Sequence, residues 1–237
     1  MTNRTVVRLG GLCLAGGALA FLGVFVYLAA RFNYPDVLDG PAESVLPSLL
    51  AMGPEGRLVW AIYGLLPLIW IPAGVAAYEA LAPVRRGAMR LALMFAVVAA
   101  LAMMLGLMRW PSIRWHLATA FTQADSSGQA VISALFDGLN TYLGNYIGEF
   151  LGELSFSLFF LLTSLTWLRS RHGARWIGWV GIATAVFGLL GMFRNVSGAV
   201  ALIAAVNNYL LPVFMIILGI ALIRWPAADD SGVLEPA

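Results

Sequence analysis

Leu9-Gly-Gly-Leu-Cys-Leu-Ala-Gly-Gly-Ala-Leu-Ala-Phe-Leu-Gly-Val-Phe-Val-Tyr-Leu-Ala-Ala30 is a run of 22 residues without one charged side chain. As an α-helix rising 1.5 Å per residue it reaches about 33 Å, enough to cross ~30 Å of hydrocarbon. Arg4 and Arg8 precede it, as they would in a secretory leader. A leader's apolar stretch is only about 7–15 residues long, so this one reads as a retained first transmembrane helix.

Similar runs recur at 58–81, 88–108, 147–168, 176–193 and 201–223. Six spans place both ends of the chain on the same side of a bilayer. The arginines choose that side. Arg4, Arg8, Arg85, Arg86, Arg90, Arg169, Arg171, Arg175 and Arg224 fall in one set of short connections, and Arg31, Arg57, Arg109, Arg114 and Arg194 in the other. The richer set belongs in the cytoplasm by the positive-inside rule. Tryptophans 60, 110, 115, 167, 176, 179 and 225 stand near run ends, where interfacial anchors are expected.

Composition agrees. Of 237 residues 61% are apolar and 11% charged, and the mean hydropathy is +0.86. A soluble domain carries about 25% charged residues. No run alternates polar and apolar residues, which a transmembrane β-barrel needs. The expected fold is an all-α integral membrane helical bundle of six transmembrane helices, a single domain over 1–237. Both termini are cytoplasmic, short interfacial helices lie on the external side, and 226–237 forms a polar tail. The external segment 31–57 includes Pro41-Ala-Glu-Ser-Val-Leu-Pro-Ser-Leu-Leu50, which reads as a short amphipathic surface helix. A single helix over 130–168 would be about 58 Å long, so a break near Gly138 or Gly144, or a separate interfacial helix, is expected before the fourth span.

Several chemistries are excluded. All 14 basic residues are arginine, so no lysine amine is present for a retinal or pyridoxal Schiff base or a P-loop. Cys13 is alone and reads as a small core residue. His116 and His172 fall on opposite sides of the membrane and cannot share a haem. No metal-binding or nucleophile motif appears, so no catalytic residue, metal or cofactor is assigned. A formal charge of +2 gives no reason to expect nucleic acid.

Polar groups at membrane depth hold what functional signal there is. Gly144, Gly148 and Gly152 are spaced four apart, a bare face for close approach of another helix. Glu149 and Glu153 share that spacing on the adjacent face. A carboxylate in hydrocarbon costs several kcal/mol unless paired or hydrated, so both should face the bundle interior. They read either as an ion, proton or substrate site or as a structural salt bridge. Arg109 ends the third span and Arg194 the fifth on the side where Glu149 opens the fourth. Together with Asn145, Asn195, Asn207 and Asn208 they form a candidate polar pocket on the external side. Pro67 and Pro72 should kink the second span and free the carbonyls of Tyr63 and Leu68.

Three segments carry a family resemblance: Tyr34-Pro35-Asp36-Val37-Leu38 with Pro41, Leu107-Met-Arg109-Trp110-Pro111, and Asn140…Tyr142-Leu-Gly144…Gly148-Glu149…Gly152. In this order, over residues 5–225, the chain resembles a bacterial family of small polytopic membrane proteins catalogued as a domain of unknown function. That implies the same multi-span fold in a bacterial cytoplasmic membrane and supplies no activity. Three functions compete. The first is a non-enzymatic sensor, regulatory or accessory subunit packed against lipids and against a membrane-protein partner or a second copy of itself. The second is a small proton- or ion-coupled transporter using Glu149 and Glu153 with Arg109 and Arg194. The third is an enzyme acting on a lipid or quinone at the external interface.

Overall fold

The computed structural model describes residues 3–226, so the expected tail lies almost wholly outside the described residues. Every regular element among them is helical, as the apolar runs require. Five helical stretches are long and apolar enough to cross a membrane: Arg4–Phe32, Gly53–Phe121, Ser126–Trp167, Arg175–Asn195 and Gly198–Ile223. The chain is thus an all-α, multi-pass membrane protein.

The elements are α1 (Asn3–Phe32), α2 (Ala42–Ala51), α3 (Gly53–Leu65), α4 (Trp70–Met108), α5 (Trp115–Phe121), α6 (Ser126–Leu139), α7 (Gly152–Trp167), α8 (Arg175–Gly191) and α9 (Ala201–Ile223). α4 is not straight. Arg85 leaves helical geometry at φ −150°, ψ 79°, two residues after Pro83, which cannot donate its own backbone hydrogen bond. The two arms fold back on each other, so that a Cβ on Gly74 would lie 2.8 Å from the Ala96 methyl. In a straight helix those residues would stand about 33 Å apart. α3 joins the first arm through a tighter 3₁₀ turn, Leu66–Ile69, which contains Pro67. Pro72 sits in the first turn of α4, where a missing N–H costs least. The Tyr63 carbonyl accepts from the Leu66 N–H and that of Leu68 from Trp70, so both bond within the turn.

Consecutive helices pack side by side: α1 on α4, α4 on α7, α7 on α8, α8 on α9, with α9 returning to α1. At that closing contact a Cβ on Gly11 would lie 2.7 Å from the Gly219 carbonyl, and one on Gly219 would lie 2.8 Å from that of Gly11. Only glycine permits so close a crossing. The ring encloses a core of small residues from α4, including Ala73, Ala77, Ala96 and Ala100, against Phe156, Phe159, Phe160 and Phe214.

A second core caps one end. α2, α5 and α6 bring Val45, Leu46, Leu49, Leu117 and Phe136 over Phe32, Trp60 and Trp110. α2 is ten residues long, too short to persist unaided. Burial of Ala42, Val45, Leu46 and Leu49 along one side holds it. This cap corrects the interfacial-anchor expectation for Trp60 and Trp110, and packing into the main core corrects it for Trp167. Trp60 and Trp110 are fully buried and Trp167 nearly so, whereas Trp176 and Trp179 are exposed. Trp60 stacks on Trp110 at 4.5 Å with planes 12° apart.

The break expected near Gly138 or Gly144 is absent. The backbone stays helical from Ser126 to Trp167, but it widens to π-type winding over Asn140–Leu151. Glycine weakens a free helix. Here Gly106 of α4 packs directly on the bare backbone of Gly148 and Arg109, just past α4, on that of Gly144, and tertiary contact outweighs local propensity.

Candidate functional site

The wide π stretch and the start of α7 present Glu149 and Glu153 toward the 3₁₀ turn Met192–Asn195 that ends α8. Arg194 lies between the two acids. Its Nη2 donates to Glu153 Oε2, and its Nε stands 3.7 Å from Glu149 Oε2. Asn195 Nδ2 donates to Glu149 Oε2 at 2.8 Å and reaches the Asn145 carbonyl at 3.5 Å. From α9, Asn207 Nδ2 donates to Glu153 Oε1 at 3.3 Å. Both oxygens of Glu153 are therefore bonded, which is what a carboxylate with a side chain only 5% exposed requires. Glu149, at 31%, opens to the surface.

This clasp ties α7, the end of α8 and α9 together. Two carboxylates share one guanidinium, so the group carries a net charge of −1 when both are ionised. A proton or a cation would neutralise it.

The structure divides the candidate pocket. Arg109 belongs elsewhere, because its guanidinium donates to the Gly106 carbonyl and to Asn140 Oδ1, the latter at 3.2 Å. Gly144 decides this. A Cβ there would lie 2.7 Å from Arg109 Cζ, so the arginine lies flat on bare backbone one turn away from Glu149. Asn145 contributes its backbone carbonyl to the Asn195 contact. Asn208 is exposed and takes no part in these bonds. Gly148 meets Gly106 and Gly152 meets Met103, so the glycine row faces the second arm of α4.

Two participants escaped the sequence reading. Asn140 was noted only as part of a family motif, yet its Nδ2 donates to the Leu38 carbonyl at 3.2 Å and its Oδ1 accepts from Arg109 and Arg114. Arg114, which the sequence puts in an external connection, is fully buried. Its guanidinium lies 3.7 Å from the Trp110 ring centroid and 4.4 Å from that of Phe136. The available signal was Trp110 four residues earlier, one turn away on a helix.

A closed ring of apolar helices with a buried ion-paired clasp defines a multi-pass membrane protein of the helical-bundle class. Residues 9–224 match the family described as Domain of unknown function (DUF4386), and the chain belongs to that family. No curated protein and no solved structure matches it.

Proposed function

We propose that the chain is a non-enzymatic sensor or accessory protein of a bacterial cytoplasmic membrane. It crosses six times, with α1, the two arms of α4, α7, α8 and α9, and keeps both termini inside. The fold at Arg85 supports six crossings, since it makes two antiparallel arms of one long apolar stretch. The arginine asymmetry supports the orientation.

One observation carries the functional reading: the core is shut directly beneath the clasp. Trp70 stacks on Phe156 at 4.2 Å, Phe156 meets Phe160 at 4.4 Å, and Phe160 meets Phe214 at 4.8 Å. All four are at most 3% exposed. Polar groups gathered at one end above a packed aromatic layer suit a protein that receives a signal or binds a neighbour at that end. They do not suit alternating access from both sides. The net charge of the clasp favours the second reading, a proton-coupled carrier in which Glu149 and Glu153 exchange one proton across Arg194.

Two experiments test the proposal. On a Cys13→Ala background, an impermeant maleimide applied to intact cells labels Gly138→Cys but not Gly87→Cys; the reverse pattern overturns the orientation. Purified in mild detergent, the protein retains a membrane protein in stoichiometric amount. Isolation as a bare monomer that drives proton uptake in vesicles supports the carrier instead.

A further inference from the structure

Arg114 is 0% exposed and Arg109 is 5% exposed. A guanidinium stays protonated in a protein, so two positive charges are buried side by side in the cap. Both described ion pairs involve Arg194; among the described residues neither Arg109 nor Arg114 has a carboxylate within 4 Å, and Glu149 and Asp137 act on them only at longer range. Arg114 Nε and Nη1 and Arg109 Nε have no hydrogen-bond acceptor. Stacking between Trp110 and Phe136 offsets part of this through desolvated cation–π contacts. Burying an unpaired charge remains costly even after relaxation. The rings alone do not balance two such charges.

The two guanidiniums converge on a single atom. Arg109 Nη2 and Arg114 Nη2 both donate to Asn140 Oδ1, a neutral oxygen at the focus of two cations. Asn140 is half-buried, and its carboxamide bridges the arginines to the Leu38 carbonyl, to which its Nδ2 donates. We propose that this is a binding site for a phosphate-type oxyanion. One ligand oxygen takes the place of Asn140 Oδ1 between the guanidiniums, and the carboxamide swings outward. The planar N–H forks of two arginines suit a multi-oxygen anion, whether free phosphate or a phospholipid headgroup, because each can donate to a different oxygen. This goes beyond the sensor reading and does not depend on it, since it concerns charges outside the Glu149–Glu153–Arg194 clasp.

The test uses the full chain in detergent, with thermal unfolding followed as inorganic phosphate is titrated against chloride at equal ionic strength. A ligand of the folded state raises Tm in a saturating manner. We expect such a rise with phosphate, or, if the ligand is a headgroup, a rise in nanodiscs containing phosphatidic acid but not in pure phosphatidylcholine. Asn140→Asp places a tethered carboxylate at the focus. It should raise Tm without ligand and abolish the ligand-dependent rise. Arg114→Gln should abolish it too, and Asn140→Asp keeps the proposal testable if that variant fails to fold. No rise with either ligand, or a rise unchanged in Asn140→Asp, overturns the site.

Discussion

Arg194 on the turn after α8 donates to Glu153 on α7, and this one ion pair couples helices 41 residues apart in sequence. Because Glu149 and Asn207 join the same group, the clasp fixes three helix ends at once. Breaking a buried pair by removing one partner costs more than the pair contributes, since an uncompensated charge stays behind. Arg194→Gln leaves two carboxylates with no guanidinium and should be the most damaging single change, by roughly 3–5 kcal/mol. Glu153→Gln keeps Arg194 satisfied in part by Glu149 and should cost less, and Glu149→Gln, at the exposed edge, least. The double variant Glu153→Gln/Arg194→Gln should cost less than the sum of its parts. Reversible unfolding in mixed micelles measures the order, and equal losses from all three single changes would count against a buried joint.

Close approach of α4 to the π stretch predicts a contrast between glycines. A Cβ on Gly106 would lie 2.6 Å from the Gly148 Cα, whereas one on Gly138 would meet nothing within 4 Å. Gly106→Ala must push two backbones apart and should destabilise by about 1–3 kcal/mol, as overpacking does. Gly138→Ala should be neutral or stabilising by roughly 0.5–1 kcal/mol, through helix propensity. The same unfolding assay separates them, and a shared sign would contradict the packing described for α4.

The bundle was largely legible in the sequence because uncharged runs of membrane length admit few other structures, and arginine spacing marks their ends. Glu149, Glu153 and Arg194 were readable as a set, because charges at membrane depth must find partners. Arg109 was misplaced for a reason that residue spacing does not encode. The bare Gly144 backbone offers it a flat bed facing Asn140, and only the helix order around the ring reveals that. The cap was hidden for a similar reason. Trp60 and Trp110 look like interfacial anchors in one dimension and become core residues once α2 and α6 fold over them. The fold at Arg85 was legible as the arginine-marked gap between the runs 58–81 and 88–108, with Pro83 beside it, whereas the π winding after Leu139 has no single-residue signature.

Asp125 caps α6, and its carboxylate accepts from the Gly128 N–H at 2.8 Å and from the Ser127 hydroxyl at 3.0 Å. The backbone bond first, then the hydroxyl, hold its pKa below the ordinary aspartate value. A depressed carboxylate adds stability that is fully present above the unfolded pKa of about 3.9 and is lost as pH falls through the lower folded value. Amide exchange at residues 126–129 should therefore be protected near neutrality and accelerate in acid, beyond the intrinsic pH trend, only below about pH 4. Asp125→Asn retains an acceptor and should remove that pH dependence. Persistence of the acid transition in the variant would assign it to another group.

The most direct test of the closed core beneath the clasp is proton flux in vesicles. Wild-type protein and a folded Glu153→Gln variant are reconstituted at equal density around a pH-sensitive dye, and a proton gradient is imposed in each direction. The account predicts that both leak protons at the rate of protein-free vesicles, since Trp70, Phe156, Phe160 and Phe214 seal the path. A flux well above that background in wild type, lost in Glu153→Gln, would contradict it.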